Sequence, residues 1–239
     1  MKITIVGYGR FGKLLSKILA PYGEIFILEK NRKIVDRKET QIKVEELRKM
    51  DWVVLSVPIS SLESVLENIK PYLKEDSLVM DVSSVKTYPC RWLKKHLPGN
   101  VELLGTHPMF GPDSAKNGLK GLKIVTCPVR ISQKSLKKVE GVFEKLNLKV
   151  IRTTPETHDK EAARSLSLVH FLGRTLGRMK IEKQDITTLG YERLLAVNET
   201  VNNDTWQLFF DMHRFNPYAK RIRNRFKVEA SKLDKEIDD

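Results

Sequence analysis

A strand, a glycine turn and a helix follow one another without a break in this chain. The β-branched run 2–6 leads directly into Gly7-Tyr8-Gly9-Arg10-Phe11-Gly12. Helical spacing follows at once through Phe11, Leu14, Leu15, Ile18 and Leu19. Gly-x-Gly-x-x-Gly in that setting is the fingerprint of a Rossmann dinucleotide-binding unit. The first glycine permits the tight turn, the second lets a pyrophosphate approach the backbone, and the third lets helix and strand pack closely. The helix N-terminus adds partial positive charge beneath the phosphates. Glu29 ends the next apolar run, 25–29, at the spacing where a carboxylate accepts from the adenine ribose hydroxyls. That favours NAD. Lys30 and Arg32 offer a counter-charge to a 2′-phosphate, so NADP is the alternative cofactor.

The same alternation continues downstream. Apolar runs at 52–57, 78–82, 101–105, 123–126 and 149–152 read as strands. Helical stretches lie between several of them, and Ser60 with Glu63 is expected to form a capping box. Repeated βα units with near-continuous apolar strands predict a parallel sheet covered on both faces. After Pro155 only helical periodicity remains, with Leu166, Val169, Leu172, Gly173 and Leu176 on one stripe and a second helix from about Tyr191 to Val201. The expected organisation is an α/β Rossmann domain over 1–153 and a small all-α domain over 154–239. The second domain is too thin to hold a large core of its own, so it must lean on the first or on another copy of the chain. The tail 227–239 is highly charged and reads as disordered or helical.

Composition removes several classes. Two cysteines, Cys90 and Cys127, provide neither a disulfide framework nor a metal cage. No apolar run is long enough to span a bilayer, and no signal segment is evident, so a cytoplasmic location is expected. The net charge is +13, from 43 Lys and Arg against 30 Asp and Glu. The basic residues are mixed with acids almost everywhere, and the densest patch is Lys220, Arg221, Arg223, Arg225 and Lys227. No nucleic-acid partner is therefore expected. A positive field suits an enzyme whose cofactor and substrate are both anions.

Two further stretches carry chemistry. Asp81-Val82-Ser83-Ser84-Val85-Lys86 and Gly105-Thr106-His107-Pro108-Met109-Phe110-Gly111-Pro112-Asp113 each lie just beyond a strand, at the carboxyl edge where open α/β sheets bind ligands. A histidine set between a strand end and a proline reads as a rigidly held imidazole. His96 and His213 carry no motif and read as structural or exposed.

With Gly7 to Gly12, Ser56-Val57-Pro58-Ile59, Ser84-Val85-Lys86 and the His107 to Asp113 stretch in this order, the chain resembles the prephenate dehydrogenase family. The resemblance covers roughly residues 1 to 175. It implies a Rossmann domain followed by a helical dimerisation domain, a homodimer, and oxidative decarboxylation of prephenate with a nicotinamide cofactor. It also implies that His107 is the catalytic base on the ring hydroxyl, with Ser84 and His158 beside it. His170, Asp113 and Arg193 are the implied substrate contacts, and Val57 and Pro58 join the glycine loop and Glu29 at the cofactor. The family's substrate-holding arginine has no match in the segment 196–201, which leaves Arg193 one turn earlier, and Arg214, as candidates. Arogenate, which has an amine where prephenate has a keto group, is the neighbouring substrate. Another Rossmann reductase of the hydroxyacid or imine type is the more distant alternative.

Overall fold

In the computed structural model all residues are described except 32, 34, 37 and 239, so Arg32 lies outside the described residues. The apolar runs form strands: β1 (Lys2–Val6), β2 (Glu24–Leu28), β3 (Thr40–Gln41), β4 (Trp52–Leu55), β5 (Leu78–Asp81), β6 (Glu102–Pro108), β7 (Lys123–Arg130) and β8 (Lys149–Arg152). They join one eight-stranded sheet in the order β3-β2-β1-β4-β5-β6-β7-β8. Helices α1 (Arg10–Leu19), α2 (Leu62–Ile69), α3 (Thr87–His96) and α4 (Gln133–Lys145) lie between strands in the chain. Each strand of the central pair β4 and β5 is buried along its whole length, as a strand covered on both faces must be. The main core gathers Ile3 and Ile5 of β1, Leu15 and Leu19 of α1, Val54, Met80, Leu104, and Val139 and Phe143 of α4.

Two expectations need correction. The sheet is not wholly parallel: β7 runs antiparallel to β6, and β8 parallel to β7. A parallel neighbour needs a crossover, usually helical, whereas an antiparallel one can be joined by a loop. Residues 109–122, which join β6 to β7, contain no helix, and the chain simply returns. Ser60 does not stand at the N-cap of α2, where the expected capping box would need it. A 3-10 turn, Ile59–Ser61, precedes α2, and Ser61 at the N-cap makes no side-chain cap bond. Glu63 instead meets His96 Nε2 at 2.8 Å, joining α2 to α3.

The chain divides into two compact units, Met1–Pro155 and Glu156–Asp239. In the second, α5 (Pro155–Ala162) passes through a π-turn, Ala163–Ser167, into α6 (Leu168–Arg178). Helices α7 (Leu189–Asn202), α8 (Trp206–Arg214) and α9 (Ala219–Asp238) follow. Thr188 and Thr205 cap α7 and α8 by accepting from the Tyr191 and Leu208 amides. The α6–α7 contact is close because Gly173 and Gly177 have no side chain. A Cβ on Gly173 would stand 2.9 Å from Val201 Cβ, and one on Gly177 would stand 2.7 Å from Asn202 Nδ2. The charged tail is helical through Asp238, and the dense basic patch lies on α9. Among the described residues no helix is long and apolar enough to cross a membrane.

Candidate active site

Sheet register gathers the motifs along one line. Leu28, Val6, Leu55, Asp81 and Gly105 pair successively across β2, β1, β4, β5 and β6. Glu29, Gly7, Ser56, Val82 and Thr106 each come one residue after that row. Five segments scattered between Gly7 and Thr106 therefore come together at the carboxyl edge, where this kind of sheet presents its ligand site.

At β1 the turn is built as the fingerprint requires. Gly7 has φ +93°, and a Cβ there would lie 2.4 Å from the Ser56 carbonyl oxygen. A Cβ on Gly12 would lie 2.2 Å from the Gly7 carbonyl oxygen, so the third glycine brings helix against turn. Around Gly9 nothing among the described residues lies within 4 Å of such a Cβ, which leaves an open approach to the backbone at the start of α1. Gly9, Arg10 and the α1 N-terminus thus fit a pyrophosphate. Glu29 is held by the Tyr8 amide (2.8 Å) and the Asn31 amide (3.0 Å), one to each carboxylate oxygen, and each oxygen keeps a lone pair for a ribose hydroxyl. Tyr8 turns inward, its hydroxyl 3.2 Å from Asp36, and burial raises that phenol to about 12. Val57 lies against the turn, 3.0 Å from the position of a Gly7 Cβ, and Pro58 is exposed beside it.

At the carboxyl ends of β5 and β6 lies the second group. Asp81 and Lys86 form a fully buried ion pair. Lys86 Nζ also donates to the Thr106 carbonyl (2.6 Å), the Ser83 amide donates to the Asp81 carboxylate (3.0 Å), and the Thr106 hydroxyl donates to the Asp81 carbonyl (2.6 Å). Ser84 sits in the middle of the loop so closed, and its Oγ is buried without a hydrogen-bond partner among the described residues. His107 is buried in β6 opposite Val125. Phe110 packs on Phe11 at 6.4 Å between ring centroids, and Arg10 donates to both Asp113 oxygens at 2.9 and 3.0 Å. That contact holds the Asp113 carboxyl below its usual range against the small opposing effect of desolvation. The His107 loop is thereby tied to the glycine loop, and Asp113 is tied to a cofactor-loop arginine.

The helical unit has its own polar interior. His158 is buried rather than on the surface, and its Nδ1 stands 2.8 Å from the Asp159 carboxylate. The Asp159 carbonyl accepts from Asn216 at 2.9 Å. Ser167 closes the π-turn with a buried hydroxyl that also lacks a partner among the described residues. His170 is buried, its Nε2 3.9 Å from Asp204, and burial, then the Arg174 charge, lowers it to about 4. Arg174, one turn on, donates to Asn202 (3.2 Å) and to the Asp204 carbonyl and lies 4.2 Å from the Trp206 ring centre. His213 accepts from Arg223 at 2.8 Å, and burial, then Arg223 and His170, lowers it too to about 4. Arg193 is exposed on α7, and Arg214 lies over the Phe210 ring at 5.3 Å. Sequence reading missed Arg174 and Asp204, and the buried ring of His213 fits the structural of its two readings. The helical stripe did contain a signal for the first, since Arg174 follows His170 by one turn.

Comparison with known proteins agrees with this geometry. The family model described as prephenate dehydrogenase, nucleotide-binding domain, matches residues 27–152, and the model described as TYRAAT1-like, C-terminal domain, matches residues 175–239. Arogenate dehydrogenase 2, chloroplastic, of Arabidopsis thaliana is 34% identical over 99% of this chain, which spans 70% of that relative. Arogenate dehydrogenase 1, chloroplastic, of the same plant is 32% identical over 99% of the chain, which spans 39% of it. The crystal structure of prephenate dehydrogenase from A. aeolicus in complex with hydroxyphenyl propionate and NAD+ superposes with a TM-score of 0.80. It covers 99% of this chain and 90% of that one at 20% identity, a likeness of fold. The chain belongs to the prephenate dehydrogenase family.

Proposed function

We propose that this chain is an NAD(P)-dependent dehydrogenase that oxidises and decarboxylates a cyclohexadienol of the prephenate and arogenate type, on the route to tyrosine. The observation that carries the reading is the Ser84 hydroxyl, buried and unpartnered among the described residues, in a loop that begins on the same sheet row as the glycine turn and the His107 strand. The nicotinamide, when bound, accepts a hydride. His107 draws the proton of the ring hydroxyl as hydride leaves the carbon that bears it. Ser84 donates a hydrogen bond that orients this hydroxyl. The ring carboxylate departs as carbon dioxide, its bonding electrons enter the ring, and the ring becomes aromatic. The protein's share is therefore positioning and one base. Gly7, Gly9, Gly12, Tyr8, Arg10, Phe11, Val57, Pro58 and Glu29 serve the dinucleotide, with NAD preferred by the ribose-facing carboxylate. Asp113 of the first unit, and His170 and Arg193 of the helical unit, are read as substrate contacts, and His158 as an orienting imidazole.

Arogenate has specific support beside prephenate. Asp204 offers a carboxylate, 30% exposed and 3.9 Å from His170, and a carboxylate pairs with the ammonium that arogenate carries and prephenate lacks. The relatives named arogenate dehydrogenase point the same way. Initial rates of NADH and NADPH appearance with each substrate test the reading, and absence of turnover with both acids would sink it. Asp204→Asn should lower kcat/KM for arogenate about tenfold more than for prephenate, the worth of roughly one charge-assisted contact. Equal losses would remove Asp204 from amine recognition.

A homodimer through the helical unit is supported by apolar side chains left open there, Leu189, Leu194, Trp206 and Phe210 among them. Sedimentation at two concentrations tests it. The two buried free cysteines suit a reducing cytoplasm.

A further inference from the structure

A lysine with no exposed surface, in an ion pair with an equally buried aspartate, needs a reason to exist. Removing two charges from water is costly, and a hydrophobic pair of similar volume often does as well or better. Stability alone is therefore weak grounds for Asp81 and Lys86. Their position is more informative. Asp81 is the last residue of β5 and Lys86 is the N-cap residue of α3, so their bond closes the loop that contains Ser84 into a ring. The same ammonium donates to the carbonyl of Thr106, the residue immediately before His107, and the Thr106 hydroxyl returns a bond to the Asp81 carbonyl. Three hydrogen bonds thus lock the backbone that bears Ser84 to the backbone that bears His107. All three use buried groups, which exchange slowly and tolerate little displacement.

We propose that Lys86, with Asp81, is a positioning residue that fixes the spacing of Ser84 and His107. This inference rests on the assignment of those two residues to the reacting hydroxyl. Lys86 itself touches no reacting atom in this scheme. β5 pairs with β6 as far as Asp81 and Gly105, and the ammonium extends that tie to the Thr106 carbonyl from the far end of the 82–86 loop. Misplacement of a catalytic group by about 1 Å can cost on the order of a hundredfold in rate.

The test is a coupling measurement. Lys86→Met alone leaves a buried carboxylate unpaired and can fail to fold, so the informative variant is Asp81→Asn with Lys86→Met. It removes both charges and keeps an acceptor for the Ser83 amide. Thr106→Val serves as a second variant that cuts one of the three bonds without touching either charge. In the double variant kcat is expected to fall about tenfold to a hundredfold, with NAD affinity, read by fluorescence titration, unchanged. Introduced on top of Ser84→Ala, the same change should cost less than about threefold, because the group it positions is already gone. Thr106→Val should lower kcat several-fold and couple to Ser84→Ala in the same sense. A folded double variant with wild-type kcat, or a full and additive loss in the Ser84→Ala background, overturns the proposal. If the double variant does not fold, Thr106→Val alone decides by the same criteria. Wild-type turnover that His107→Asn abolishes is the control on the underlying reading. If it is absent, that reading fails and not the coupling.

Discussion

Gly9 and Gly12 stand three residues apart and differ in what a methyl group would meet. At Gly12 it would collide with the Gly7 carbonyl, at Gly9 with nothing among the described residues. Gly12→Ala is therefore expected to destabilise the first unit by about 1–3 kcal/mol, the usual range for forced overpacking. Gly9→Ala should leave the melting temperature unchanged and weaken NAD binding about tenfold or more, because its methyl occupies the pyrophosphate approach. Thermal melts with and without NAD separate the two. A Gly9→Ala protein that bound NAD normally would place the dinucleotide elsewhere. At this scale the glycine loop was fully legible, since each glycine's role follows from spacing after a strand. Lys86 was quoted in a motif, yet its burial and its bond to Thr106 depend on strand neighbours far away in sequence.

Among elements, the α6–α7 pair shows how the helical unit manages with a thin core. Gly173 and Gly177 let two backbones approach, and Val201 fills the space that a side chain on Gly173 would need. Gly173→Ala should cost about 1–3 kcal/mol by overpacking. Adding Val201→Ala should recover part of that loss, whereas in the parent background Val201→Ala alone should destabilise by leaving a void. Additive losses in urea unfolding would show that the two positions do not share that space. The π-turn at Ala163–Ser167 joins α5 to α6 without breaking the helix and leaves the Ser167 hydroxyl inward. Such turns recur at functional sites. Sequence periodicity read this stretch as ordinary helix, because one extra residue in a turn shifts the apolar stripe too little to notice. The antiparallel return of β7 was missed for a related reason: strand composition does not encode direction, and only the length and content of the connection do.

For the whole molecule the buried imidazoles set a pH dependence. His170 and His213 are lowered from 6.5 to about 4, chiefly by burial. In the folded chain they stay neutral where the unfolded chain takes up protons. Stability is therefore fully present above about pH 6.5 and declines as pH falls towards 4, with a limit on the order of 3 kcal/mol per imidazole. Below about 4 these two groups add no further loss. Urea midpoints measured from pH 7.5 to 4 should fall more steeply for the parent than for His213→Gln, which keeps an acceptor for Arg223. Equal slopes would mean that His213 titrates as it would in water. The +13 charge, read from composition, suits anionic ligands by long-range field and says nothing about fold.

Local chemistry was enough to specify the strand–glycine–helix opening, the run of βα units and the change to helix after Pro155, because each rests on spacing within a few residues. It was also enough to single out His107 and Ser84 as candidates, although the hydrophobic pattern ended the strand at 105 and β6 runs on through His107 to Pro108. What tertiary structure alone decided is which distant residues share the buried interior: Asp81 with Lys86 and Thr106, Arg10 with Asp113, His170 with Asp204 and Arg174. Those pairings follow from sheet order and helix crossing, and a chain read in one dimension contains no measure of either.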